Sequence, residues 1–269
     1  MLFLRIDDTH LSLLAYSLDN RALTEEGKAV AYPFEHKVLR PSATLEANLL
    51  SLRSAHPEFQ VPQQVEVMVS SPITVVPLAE FEEDQSVELY HYTILGDNES
   101  RSARRIHYDL LPASNAVILF SIKEEVCRAI ESVFGEVHYV SSFTSWVKRF
   151  SNKVNVNQRR RVYLHCKEQE VDIAIYEGHH LLMLNSYEVN APADAAYFTL
   201  NVAQSLGLDL QQTPISLFGL EEQRDAIEEQ LSRYVRNVGV IRLSAEFNRH
   251  SIPQLPNIPF DLATQILNQ

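Results

Sequence analysis

Two stretches decide the fold: Met1-Leu-Phe-Leu-Arg-Ile-Asp7-Asp8-Thr9-His10-Leu11-Ser-Leu-Leu-Ala-Tyr16 and Val162-Tyr-Leu-His-Cys166-Lys167-Glu168-Gln169-Glu170-Val171-Asp-Ile-Ala-Ile-Tyr176. Each is an apolar run, a short polar break and a second apolar run, the pattern of two antiparallel strands joined by a tight turn. A shift of 160 in numbering lays one on the other and matches Leu4 with Leu164, Leu11 with Val171, Leu13 with Ile173 and Tyr16 with Tyr176. Both hairpins lead into a third strand, expected at residues 28–34 after the turn at Glu25-Glu26-Gly27 and at residues 180–189 after Gly178.

The order after the third strand also repeats. In the first half Ser42 or Thr44 can cap a helix with Leu45, Leu49 and Leu52 at helical spacing. Strand 65–69, strand 117–120, helix 122–134 closed by Gly135, strand 137–140 and helix 143–150 follow. In the second half the order is helix 192–206 with Phe198, Val202 and Leu206 inward, strand 215–218, Gly219, helix 221–235 and strand 238–243. Residues 260–267 can form a last short helix. The reading is a duplicated α/β chain with a first lobe at 1–158 and a second at 159–269, joined through the polar stretch 151–161. The region at about 79–113 has no counterpart in the second half, and the alternation of Tyr90, Tyr92 and Ile94 suggests a strand of a small appended subdomain.

The chain carries a net charge of −12, and both lobes are acidic, which disfavours a general nucleic-acid surface. Two small basic clusters, at Arg101, Arg104 and Arg105 and at Arg159-Arg160-Arg161, read as solvated loops. No stretch approaches the roughly 18 uninterrupted apolar residues of a membrane helix, so no direct membrane insertion is expected. The opening residues read as a strand and not as a signal peptide, and two cysteines make no disulfide framework, so the cytoplasm is the expected compartment. Glycine is scarce, with seven residues, none adjacent and none in a Gly-x-Gly pair. Loops that wrap phosphate need inward backbone amides free of Cβ atoms, and no such loop is present.

Two ribonuclease-H-like βββαβαβ units in tandem resemble the actin-like ATPase superfamily. Within it the chain is most similar to the actin-like assembly proteins of type IV pili and the cytoplasmic domain of the type II secretion L protein, and to an uncharacterised bacterial family of the same shape. The supporting residues are Leu4-Arg-Ile-Asp7 at the first strand, Ile215-Ser-Leu-Phe-Gly219 and the final Phe260-Asp-Leu-Ala-Thr-Gln-Ile266. The resemblance implies phosphate loops at both hairpins and paired glycines after strand 215–218. Here Asp7, Asp8 and Thr9 stand in the first loop without glycine, Lys167, Glu168 and Gln169 in the second, and Gly219 is followed by Leu220 and two glutamates. The resemblance therefore implies a degenerate nucleotide site, with an ATP-binding protein of atypical site as the alternative. Relatives with weakened sites use the first lobe and the inter-lobe groove to hold a partner's segment.

No catalytic, metal or cofactor constellation is expected. His179 and His180 are neighbours on a strand and cannot ligate one ion, and one buried and one exposed histidine is the simpler expectation. Asp7 is expected to cap its turn, and Trp146, between Phe143 and Phe150, to pack in the core. The expected partner is a protein. Phe81, Tyr90, Tyr92, Arg104 and Arg105 of the appended region are the candidate contacts, because aromatic and arginine side chains anchor interfaces.

Overall fold

The computed structural model describes residues 1–16, 32–61, 63–95, 103–153 and 160–268. The described elements in chain order are β1 (Leu2–Ile6), β2 (His10–Ala15), β3 (Phe34–Val38), α1 (Leu45–Arg53), β4 (Val65–Val69), β5 (Ile73–Pro77), α2 (Ser86–Tyr90), β6 (Arg104–Leu111), β7 (Ala116–Lys123), α3 (Glu124–Phe134), β8 (His138–Ser141), α4 (Ser142–Ser151), β9 (Arg160–Cys166), β10 (Glu170–Glu177), β11 (His180–Glu188), α5 (Pro192–Ser205), β12 (Ile215–Gly219), α6 (Glu221–Leu231), β13 (Val238–Val240), α7 (Leu243–Glu246) and α8 (Phe260–Leu267).

They build two sheets of identical plan, β3-β2-β1-β4-β8 and β11-β10-β9-β12-β13. In each, the hairpin is antiparallel and the first strand runs parallel to the strand that follows the first helix. Leu4 pairs with Leu13 and Val67, and Leu164 with Ile173 and Leu217. All six side chains are fully buried. The duplication extends to the loops: Leu39 N–H donates to Thr9 O at 2.8 Å, and Val189 N–H to Gln169 O at 2.9 Å, tying each turn to the end of its third strand.

Local signals held for most elements. Thr44 caps α1 by accepting from Ala47 N–H at 3.2 Å. Gly135 ends α3 at φ +77, where an L-residue is strained. The third strand of the first sheet lies at Phe34–Val38, beyond the expected 28–34, of which residues 28–31 lie outside the described residues, as do the turn at 25–27, Arg101 and Arg159. Helix α6 stops at Leu231 and β13 at Val240, both short of the expected bounds.

The appended region differs most from the expectation. Three antiparallel strands, β5-β7-β6, form its sheet, so it reaches from Ile73 to Lys123 and takes in the strand expected at 117–120. Residues 86–95 are not a strand: α2 runs into a π-helical turn, His91–Leu95. Tyr90 is fully buried there, its hydroxyl donating to Pro72 O at 2.6 Å, whereas Tyr92 is 89% exposed.

The halves exchange their last helices. Helix α4, from the first half, packs Phe143, Trp146, Val147 and Phe150 against Tyr163, Tyr176 and Phe218 of the second sheet. Helix α8, from the second half, packs Leu262, Ala263 and Ile266 against Phe3 and Leu14 of the first. Burying aromatic faces of this size at about 25 cal/mol per Å² makes the inter-lobe seam a core in its own right.

Candidate functional site

The first hairpin turn is closed on itself. Asp7 N–H donates to His10 O at 3.2 Å, and the Asp7 Oδ1 accepts from Thr9 N–H at 2.9 Å and His10 N–H at 2.7 Å. This Asx arrangement consumes the two turn amides that could otherwise face an anion. Asp7 also pairs with the Arg5 guanidinium, which reaches on to the buried Asp261 of α8 at 2.9 Å. Burial alone would raise the Asp7 carboxyl; the Arg5 charge and hydrogen bond and the two amides outweigh it and hold the carboxyl below its usual range. Asp8 is exposed and points its charge to solvent.

The second turn has the same frame and a different filling. Lys167 N–H donates to Glu170 O at 3.0 Å. The Lys167 ammonium lies 2.9 Å from Glu170 and 2.9 Å from Asp172, and 5.2 Å from the Phe143 ring centre. Asp172 is 1% exposed and also accepts from Ser186 Oγ at 2.6 Å, with His165 Nδ1 at 3.1 Å. Burial pushes the Asp172 carboxyl up, but Lys167, His165 and Ser186 together hold it at about 2. His165 stacks on Phe218 at 4.8 Å, and Glu168 stands exposed.

Cross-strand register shows that these are one site drawn twice. Arg5 faces Ser12, which faces His36, with Ser12 Oγ 2.8 Å from His36 Nδ1. At the matching positions His165 faces Asp172, which faces Ser186. Each polar row crosses the sheet face that the exchanged helix covers. Gly219, at φ +102, is required by packing. A Cβ there would overlap the Cys166 carbonyl oxygen and stand 2.8 Å from the His165 ring, and Leu220 N–H already donates to that carbonyl at 2.8 Å.

The structure thus brings Asp7 and Thr9 together in one turn, Lys167 and Gln169 in the other, and Gly219 against Cys166 and His165. Arg5, Asp172, His165, Ser186 and Asp261 were not among the site residues expected from sequence. The available signal was a charged residue inside an otherwise apolar strand, Arg5 in Leu2–Ile6 and Asp172 in Glu170–Glu177. Among the appended-region candidates, Phe81 packs on Tyr108 at 4.9 Å, and Arg104 donates to Ser121 Oγ at 3.1 Å. Arg105 pairs with Glu124 and Glu131. Tyr90 is a packing residue, corrected from contact candidate by its burial, and Tyr92 is presented to solvent. His179 and His180 are both exposed, unlike the expected split, because Gly178 at φ +61 turns the chain outward between β10 and β11.

Two cavities stand out among the described residues, and neither is centred on a turn. One, of about 840 Å³, lies at the opposite end of the first sheet, lined by Met1, Leu2, Arg53, Phe59, Glu66 and Phe134. The other, of about 360 Å³, lies between β11 and α5. Among the described residues no three metal-ligating side chains gather, and no helix is long and apolar enough to cross a membrane.

The sequence profile of the family described as "Protein of unknown function (DUF3822)" matches residues 1–238. The chain belongs to that family. No protein of curated function matches it in sequence. A solved protein of Bacteroides thetaiotaomicron VPI-5482, described as having an actin-like ATPase fold and unknown function, superposes with a TM-score of 0.76 at 21% identity, covering 98% of this chain and 95% of that one. The PilM–PilN type IV pilus biogenesis complex matches with a TM-score of 0.57 at 13% identity, over 99% and 97% of the two chains. The cytoplasmic domain of EpsL, an inner-membrane component of the type II secretion system of Vibrio cholerae, aligns at a TM-score of 0.43 and 10% identity over 80% of each chain. The family member described here has the actin-like fold.

Proposed function

We propose that this protein is a non-catalytic actin-like scaffold that binds a protein partner through a frame whose nucleotide site has degenerated. The observation that carries the reading is the state of the two turns. Thr9 and His10 amides are spent on Asp7, and the Lys167 ammonium is spent on Glu170 and Asp172. A triphosphate placed there would have to displace its own chain's carboxylates, and like charges repel it. The acidic Glu221 and Glu222 beyond Gly219 add to that repulsion.

The partner half of the reading draws support from the shared fold of the PilM–PilN complex. It also draws on the appended sheet, an insertion the duplicated core does not need. On that insertion Tyr92 and Val87 stand exposed on consecutive helical turns, beside the acidic Glu82-Glu83-Asp84. Exposed aromatic and aliphatic groups ringed by charge are the material of a transient interface.

Thermal unfolding with Mg-ATP tests the nucleotide half. A ligand at 100-fold over its dissociation constant adds about 2.7 kcal/mol, a rise of roughly 5–11 °C for a chain of this size. The expected rise is nil. A rise of that size that disappears in Asp7→Ala would overturn the reading.

A further inference from the structure

From Glu168 to Gln223 the sequence carries nine acidic residues and no lysine or arginine. This stretch builds β10, β11 and α5, so the β11 side of the second lobe has no lysine or arginine of its own. Within that flank lies the 360 Å³ groove, floored by Met183 and Tyr187 of β11 and walled by Phe198 and Val202 of α5 and by Leu206 just past its end. Tyr187 and Phe198 stack at 4.8 Å, and Leu182, Tyr197 and Leu206 are exposed around it.

Strand β11 is the last in its sheet, with no strand paired to its outer side among the described residues. An edge strand of nine residues, apolar at Leu181, Leu182, Met183, Leu184 and Tyr187, is a template for a further strand. Only Leu182, out of register where Met183 faces Ile175 and Leu181 faces Tyr176, interrupts it. Charge decides the occupant. Glu188 stands exposed at the end of β11, in register with Glu170, whose charge Lys167 takes up at 2.9 Å. At the other end the carbonyl terminus of α5 adds its negative dipole, and Arg160, which bonds Leu206 O at 2.9 Å, is neutralised by Glu177. A second copy of this flank would set acid against acid, and nucleic acid is repelled in the same way.

We infer that the edge of β11 and the adjoining α5 groove form a docking site for an extended, basic segment of a partner protein, added as a strand whose alternate apolar side chains enter the groove and whose lysines or arginines meet the acidic flank. Main-chain pairing supplies affinity and the groove and charge supply selectivity. The inference rests on the partner-binding reading above and is tested apart from it.

The probe is a displayed library of random peptides, each about the length of a strand with its flanks, panned on the full chain. The expected outcome is enrichment of peptides that alternate basic with apolar residues. Their affinity should fall ~10-fold or more in the variant Asn201→Arg/Ser205→Arg, which places two like charges on exposed groove positions of α5 without touching the core. N-methylation of every second peptide amide should abolish binding in one register and spare it in the other. No enrichment, enrichment of neutral or acidic peptides, or unchanged binding by the double variant would each overturn the inference. Binding lost in Tyr92→Ala and kept in the double variant would also overturn it, while leaving the scaffold reading intact.

Discussion

Replacing Lys167 by methionine separates the two uses that a lysine at this turn could have, holding its own strand or meeting an anion. In the structure its ammonium is 17% exposed and bridges Glu170 and the buried Asp172. The Asp172 carboxyl titrates at about 2, against an ordinary value near 3.9, which corresponds to ~2 kcal/mol of stability at neutral pH. Because the folded value is the lower one, that stability is complete above about pH 4 and is lost as pH falls toward 2.

Methionine keeps the stem's packing on Phe143 and removes the charge. Asp172 then retains only His165 and Ser186 inside the lobe. Stripping one partner from a buried pair costs about 3–5 kcal/mol, and the two surviving hydrogen bonds place this case near ~3 kcal/mol. For a chain of this length that is a fall of roughly 6–12 °C in Tm at pH 7.

The deficit should shrink between pH 7 and pH 4, because without Lys167 burial dominates and the variant can neutralise Asp172 where the parent resists protonation. Urea unfolding at both pH values measures it, with Glu170→Gln, an exposed partner, as a control expected within ~0.5 kcal/mol of the parent. A Lys167→Met variant within ~1 kcal/mol of the parent at pH 7 would refute the reasoning, and so would an equal deficit at both pH values. Either result would leave the lysine free for a phosphate and reopen nucleotide binding.

Gly219→Ala should destabilise by about 3 kcal/mol in urea unfolding, since it adds a Cβ onto the Cys166 carbonyl at φ +102; a neutral result would mean that β12 can withdraw from β9 at no cost. Arg5→Met should cost about 3–4 kcal/mol and exceed Asp261→Asn, because Arg5 keeps Asp7 when Asp261 is neutral, whereas Asp261 keeps only the Leu262 amide when Arg5 is gone. The reverse order would show that the pair is not what seats α8.

The repeated sheets were legible because alternation over five or six residues fixes a strand face, and the second copy repeated the same faces at a constant offset. The appended sheet was not. Tyr90, Tyr92 and Ile94 satisfy a period of two as well as a loose helix, and over so few residues the tertiary partner decides. Tyr90 was claimed by Pro72 and Ser121, while Tyr92 was left outside. Strand β5 was missed because Ile73–Pro77 is half-buried and ends in proline, a composition that reads equally well as loop. In the candidate site, the turn residues were legible as a glycine-free loop. The Arg5–Asp261 pair was not, since no spacing rule links positions 256 apart. Only the presence of an arginine in an apolar strand hinted that some distant acid must be waiting for it.

The exchanged helices join the turn chemistry to the scaffold reading. A fold that works by closing and opening its lobes needs a seam that can slide. Here Asp261 of α8 is locked to Arg5 in one lobe, and Trp146 of α4 sits among Phe143, Phe150, Phe218 and His165 in the other. Rotation of one lobe against the other would pull a buried carboxylate off its guanidinium and part an aromatic cluster in the same movement. The first separation alone carries a penalty of several kcal/mol, comparable with what a bound nucleotide could return. On the proposed reading, a chain with both turns closed on their own side chains and both helices packed across the seam keeps the actin-like frame as a fixed surface. Tyr92, in the π-helical turn of the appended region, lies outside that seam, whereas β11 enters it through Leu184 and turns Met183 and Tyr187 the other way, toward α5.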